Sequence, residues 1–223
     1  MTKIPVPTSS AKLDLFLDRL ATRQSSTGRL IFSLDATMSR EATWARAIKL
    51  QAEMFSEAAA VGGLEIQLVY YRGRDECTPS CWTTDAHQLG EIMARIECAS
   101  GETQLAKILA HARREHDKAP IGTLVFVGDA IEESVDTLYV HADELGFRNV
   151  RALMFQEGDN PEVEKAFREI ARRSRGAYCR FSAESAHELR ELLRAAAAYA
   201  AGGLRALSNL KAQQAVKLLE QLK

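Results

Sequence analysis

The sequence predicts an α/β fold: a Rossmann-like three-layer sandwich built on a mostly parallel six-stranded sheet, with one short antiparallel edge strand and helices on both faces. Three observations point to it. Short apolar runs of strand length alternate along the chain with amphipathic segments of helical length. Two of those runs, Leu30–Leu34 and Ile121–Val127, are apolar almost throughout, the mark of strands covered on both faces. One connection, Arg72-Gly73-Arg74-Asp75, is too short for a parallel crossover, so the run after it returns as a hairpin.

The chain of 223 residues is long enough for one domain with a sizeable core, and its 46% hydrophobic and 26% charged residues are ordinary for a globular protein. Its 29 basic and 30 acidic residues leave a net charge of −1 and form no basic tract, which argues against a nucleic-acid partner. Met1–Ser10 has no apolar core of a signal peptide. The longest apolar stretch, Ala195–Leu207, contains Arg205 and falls short of the ~20 residues of a membrane span. A cytoplasmic protein without a membrane span is the expectation, with nothing to set its oligomeric state. The four cysteines are then expected as thiols. Cys77 and Cys81 could form half a zinc site, but a second closely spaced pair is missing.

In chain order, Leu13, Phe16, Leu17 and Leu20 recur at helical spacing over Ser9–Gln24. Leu30–Leu34 is the first strand. An amphipathic helix follows through Trp44, Ile48 and Met54 and ends at Gly62-Gly63. Leu64–Tyr71 is the second strand, and Glu76–Thr83, with Pro79 inside it, reads as the antiparallel edge. Helices are expected over Asp85–Glu97 and through Leu105, Ile108 and Ala112. His111 and His116 on the latter are expected to face solvent. Ile121–Val127 is the central strand, followed by a helix over Val135–Leu145, a strand over Val150–Phe155 and a helix opened by Pro161. A strand over Ala177–Phe181, a closing helix over Ala186–Ala201 and an amphipathic helix over Leu207–Leu222 complete the chain. This divides it into an N-terminal helical extension (1–27), the α/β domain (28–203) and a C-terminal helical extension (204–223).

Three loops carry oxygens. Asp35, Thr37 and Ser39 stand at alternate positions where the first strand ends; Thr103 lies in a glycine-containing loop before a helix; Asp129 follows the central strand. Ligands of open α/β sheets bind at such carboxyl edges. Hard oxygens suit Mg²⁺ or Mn²⁺ rather than Zn²⁺. Each residue also has a purely structural reading: Ser39 and Thr103, or Ser100, as helix caps, Gly128-Asp129 as a turn, and Glu132-Glu133 as the acidic start of a helix.

The set Asp35-Ala36-Thr37-Met38-Ser39, then Thr103, then Asp129, in that order, resembles the von Willebrand factor A domain with its metal-ion-dependent adhesion site, here as a bacterial-type intracellular member. The family signature is Asp-x-Ser-x-Ser, a Thr from a second loop and an Asp from a third; Thr37 stands where Ser is usual, keeping the hydroxyl and adding a stiff methyl-bearing branch. The resemblance spans roughly residues 29–201. It implies Mg²⁺ or Mn²⁺ held by Asp35, Thr37, Ser39, Thr103 and Asp129. Thr37 and Ser39 would bind through their hydroxyls, Thr103 directly or through water, and the two carboxylates largely through water. It also implies capture of an Asp or Glu of a partner protein, coupled to a shift of the closing helix, and no catalysis.

Two other readings stay open. Asp35 after an apolar strand is also similar to the nucleophile of haloacid-dehalogenase-type phosphohydrolases, with Gly128-Asp129 and Glu133 as the acidic Mg²⁺ motif. The second Asp that would serve as acid and base is replaced by Thr37. Alternatively, the chain is a metal-free interaction scaffold whose terminal helices make the contacts; Leu210, Val216, Leu219 and Leu222 either pack back on the domain, the preferred reading, or meet a partner helix.

Overall fold

β-Branched, aromatic and leucine side chains at alternate positions of Gly28–Asp35 are buried on both sides of the chain, which places this strand in mid-sheet. The computed structural model describes residues 27–182 and 185–222; the helix expected over Ser9–Gln24 lies outside them. The elements are β1 (Gly28–Asp35), a 3₁₀ turn (Met38–Arg40), α1 (Glu41–Ala59), β2 (Leu64–Arg72), β3 (Glu76–Pro79), α2 (Ala86–Ala94) and α3 (Leu105–Lys118). They continue with β4 (Thr123–Gly128), α4 (Val135–Phe147), β5 (Arg151–Glu157), α5 (Pro161–Arg173), β6 (Ala177–Phe181), α6 (Ala186–Asn209) and α7 (Gln213–Leu222).

The six strands lie in the order β3-β2-β1-β4-β5-β6, all parallel except β3, which pairs antiparallel with β2. This is the predicted architecture. Ser33, the one polar residue between Arg29 and Asp35 of β1, donates its hydroxyl to the Val69 carbonyl at 2.9 Å, so its burial leaves no lost hydrogen bond. On one face, Leu30, Phe32 and Leu34 meet α1, α2, α6 and α7; on the other, Ile31, Leu124 and Phe126 meet α3, α4 and α5. None of the helices among the described residues is long and apolar enough to cross a membrane.

Two expectations are corrected. The amphipathic repeat over Leu207–Leu222 is not one helix. α6 runs on to Asn209 across a kink at Gly203 (φ 64°, ψ −156°), a conformation open to glycine, and α7 begins only at Gln213. Beyond the kink Leu207 is buried in the core, and α7 buries Ala215, Leu218 and Leu222 against it while leaving Val216 exposed. His111 does not face solvent: it is buried and shares a 2.8 Å hydrogen bond with the Gln67 side chain, and burial lowers its pKa.

Gly28 lies hard against the closing helix: a Cβ there would sit 2.2 Å from the Ala200 carbonyl oxygen, a backbone atom that cannot swing aside. Gly28→Ala is expected to destabilise the fold by about 1–3 kcal/mol through overpacking, measured as the shift of the urea unfolding midpoint at constant slope.

Candidate functional site

Asp35 closes β1 and Gly128 closes β4, and the two strands are direct neighbours, Leu34 pairing with Val127. From β1 the sheet grows one way through β2 and the other way through β4, so the crevice beyond these strand ends is the topological switch point of the sheet. Asp35 and Asp129 come together there: they are near enough for the charge of Asp129 to act on Asp35.

The first loop is pinned by its backbone. Ala36 donates to the Tyr71 carbonyl at 3.0 Å, Ala99 donates to the Ala36 carbonyl at 3.1 Å, and Thr37 bridges to Ala99. Asp35 is 2% exposed, and its Oδ1 accepts the Thr37 N–H at 2.7 Å. Burial pushes its carboxyl above the ordinary range; hydrogen bonding from Thr37 opposes the rise and the charge of Asp129 adds to it. The buried Tyr71 hydroxyl lies beside this carboxylate but makes no well-formed hydrogen bond among the described residues. Burial, with the Asp35 charge next, holds its pKa well above that of a free tyrosine. The hydroxyls of Thr37 and Ser39 stand 3.1 Å apart. Thr37 is buried and Ser39 exposed, so the pair leads from the interior to the surface.

Ser39 does not cap α1. It lies in the 3₁₀ turn, and the cap position is Arg40, which supplies no side-chain bond. Thr103 does not cap α3 either. The cap position there is Gln104, and the first amides of α3 are taken from across the site: Glu133 accepts from Leu105 N–H at 2.6 Å and from Ala106 N–H at 2.9 Å. Beside it, Thr103 N–H donates to Glu132 Oε2 at 2.6 Å, while Glu132 N–H donates to Thr103 Oγ1 at 2.9 Å. The glutamate pair thus precedes α4 and also clamps the Thr103 loop, a role the sequence reading did not give it. Glu133, the position that the phosphohydrolase reading assigns to an ion, is turned to the α3 amides.

Two more residues belong to the site and were missed. Arg40 places Nη2 2.9 Å from Asp129 Oδ2 and Nη1 2.5 Å from Glu157 Oε2. Glu157 ends β5 on the same sheet edge, is buried, and also accepts from Thr43 Oγ1 at 2.5 Å. The available signals were an acid at the end of a third parallel strand and an arginine directly after the hydroxyl loop.

Among the described residues no three His, Cys, Asp or Glu side chains gather into a metal site of their own. The candidate rests on two carboxylates together with the hydroxyls of Thr37, Ser39 and Thr103. That donor set fits a hard divalent cation: oxygen throughout, and a buried carboxylate held above its usual pKa, a charge that a cation would relieve.

No family model matches the chain, and no curated protein matches it in sequence. Solved structures do. An aerotolerance-related membrane protein of Bacteroides fragilis, solved with multiple mutations to serine, superposes with a TM-score of 0.58 at 14% identity, covering 76% of this chain and 98% of that one. The SpRpn10 VWA domain gives 0.57 at 14% identity, covering 76% and 95%. Proximal thread matrix protein 1 of the mussel byssus, solved with its MIDAS motif occupied by zinc, gives 0.59 at 13% identity, covering 86% and 53%. Together with the strand order and the single antiparallel edge strand, these superpositions establish that the chain has the von Willebrand factor A fold.

Proposed function

We propose that this protein is a non-catalytic, metal-dependent protein-binding module of the cytoplasm. Asp35, Thr37, Ser39, Thr103 and Asp129 hold a divalent cation, Mg²⁺ or Mn²⁺, and the site takes an Asp or Glu side chain of a partner protein. The observation that supports this most is that Asp35 and Asp129 stand at the ends of neighbouring strands at the switch point of the sheet, while neither Ser39 nor Thr103 spends its hydroxyl on a helix cap. The zinc-occupied MIDAS motif of the mussel byssus protein, on the same fold, adds to it.

Each residue has its part. Thr37 and Ser39 offer hydroxyl oxygens from one short loop. Thr103 is held toward the β4 side by its reciprocal bonds to Glu132. Asp35 and Asp129 supply negative charge. A cation bound here offers a hard, positively charged coordination position to a carboxylate. With only two site carboxylates to balance two positive charges, the site leaves no surplus negative charge to repel an incoming acid.

Calorimetric titration tests the reading. Mg²⁺ or Mn²⁺ is expected to bind the wild type saturably, at one ion per chain, and binding to a folded Asp129→Ala variant is expected to weaken at least ~10-fold, or roughly 1.4 kcal/mol. The absence of saturable binding to the wild type would remove the metal from the function. Chelation is expected to abolish capture of the acidic partner.

Asp35 gives a second test, in chelator. Its folded-state pKa lies above its unfolded one, so ionised Asp35 opposes folding above that pKa, and the penalty fades as the pH falls through it. Asp35→Asn is therefore expected to melt higher than the wild type at neutral pH, by about 2–4 °C. The gap should close on acidification, and the variant should lose stabilisation by Mg²⁺. A lower melting temperature at neutral pH would mean that the ionised carboxylate stabilises the fold without an ion.

A further inference from the structure

Arg40 directly follows the hydroxyl loop and closes the 3₁₀ turn. The side chain is 12% exposed and bridges two carboxylates, at 2.9 Å from Asp129 and 2.5 Å from the buried Glu157. Its Nε and Nη1 are buried without a well-formed hydrogen bond among the described residues, so the Glu157 contact is an ion pair rather than an aligned hydrogen bond. Thr43 donates to the same Glu157 oxygen, so one end of the bridge is anchored on two sides. At the other end stands Asp129, the carboxylate that the proposed cation needs. A guanidinium is always charged and its donor fork suits carboxylates, so Asp129 is neutralised whenever Arg40 lies on it.

We propose that Arg40 is an internal counter-cation of the metal site and competes with the divalent ion for Asp129. This rests on the reading of the site as a metal centre. A guanidinium and a divalent cation served by one carboxylate stand roughly 6 Å apart, and even at the dielectric of water their repulsion costs about tenfold in affinity. The ion therefore binds at the expense of the Arg40–Asp129 pair, and Glu157 sets how firmly Arg40 holds its place. The site is closed on itself at low cation concentration and opens as the ion displaces Arg40 from Asp129.

The test is calorimetric titration of Mg²⁺ and Mn²⁺ into the wild type, Arg40→Gln, and the double variant Arg40→Gln/Glu157→Gln, each shown to be folded by circular dichroism. The double variant is the discriminating one. In the wild type, three carboxylates (Asp35, Asp129 and Glu157) against one guanidinium give the site a formal charge of −2; in the double variant two carboxylates remain and the charge is again −2. It also avoids the buried, unpaired Glu157 that Arg40→Gln alone would leave. The double variant is expected to bind the ion more tightly than the wild type, since losing Arg40 removes both its repulsion and its hold on Asp129, while losing the attraction of Glu157 offsets only part of that gain. Equal or weaker binding, with the wild type still binding, overturns the role of Arg40 and leaves the metal site standing. Binding to none of the proteins at tens of millimolar overturns both. Should the glutamine variants fail to fold, Arg40→Lys takes their place, since one ammonium cannot match two carboxylates as the fork does. Tighter binding than wild type then supports the competition, and equal or weaker binding overturns it.

Discussion

Asp35 is a carboxylate at the end of the strand that lies in mid-sheet, where water scarcely reaches it. A buried charge is tolerated when hydrogen-bonded and paired or coordinated; otherwise the group shifts its pKa toward neutrality. The Thr37 N–H serves one oxygen of Asp35, yet the pKa remains raised, so the protein supplies less stabilisation than the charge needs. The guanidinium of Arg40 is committed to Asp129 and Glu157 instead. Around this unrelieved charge the chain arranges hydroxyls, which can coordinate a cation without adding charge of their own. Hydrophobic packing explains why β1 lies where it does, but it does not explain a carboxylate on the strand's buried end.

The site is built in two halves. The β4–α4 loop carries Asp129, Glu132 and Glu133, and the last two hold the Thr103 loop through four hydrogen bonds, two of them to the first amides of α3. Bonds to an anionic oxygen at a helix start are stronger than neutral ones and contribute on the order of 1 kcal/mol. Thr103 and Asp129 therefore belong to one unit. The Asp35–Arg40 loop is the other, tied to β2 through Ala36 and to the segment after α2 through Ala99. Gly101 brings the first half close to the β2–β3 hairpin: a Cβ there would fall 2.3 Å from Gly73 N, and Glu102 N–H bonds the Gly73 carbonyl at 3.1 Å. Arg40 is the side chain that crosses from one half to the other.

What could be read in the sequence was what repeats or lies contiguous. The six strands and the helices that cover them followed from periodicity, and the hairpin from the shortness of Arg72–Asp75. Asp35, Thr37 and Ser39 were conspicuous because they alternate where an apolar run stops. The partners of those residues were not visible. Glu157 lies 114 positions from Thr43, with which it shares a hydrogen bond, and neither composition nor spacing reports such a pairing. The same holds for Glu132 and Glu133: as the acidic start of a helix they satisfy a local rule, and only tertiary structure reveals that Glu133 caps a different helix while Glu132 holds the Thr103 loop before it. At Leu207–Leu222 the helical period runs unbroken across the break that the extended backbone of Leu210 imposes between the end of α6 and the start of α7. His111 was placed outside because histidine is usually half-exposed; the buried side chain of Gln67 supplied the partner that let it turn inward.

The two cations proposed for this site differ in what they can use. Arg40 is tethered one residue from Ser39, so it faces Asp129 at an effective concentration far above that of any free ion; even flexible short tethers reach the millimolar range. That advantage is entropic and is confined to the carboxylates it already touches, Asp129 and Glu157. A divalent ion has no tether, but it can draw on Asp35 and on the oxygens of Thr37, Ser39 and Thr103, and it brings twice the charge to a carboxylate that burial has left under-stabilised. The balance therefore depends on the free ion concentration, because only the ion's side of the exchange carries a concentration term. Arg40 prevails when the ion is scarce, and the ion prevails once its concentration makes up for the tether.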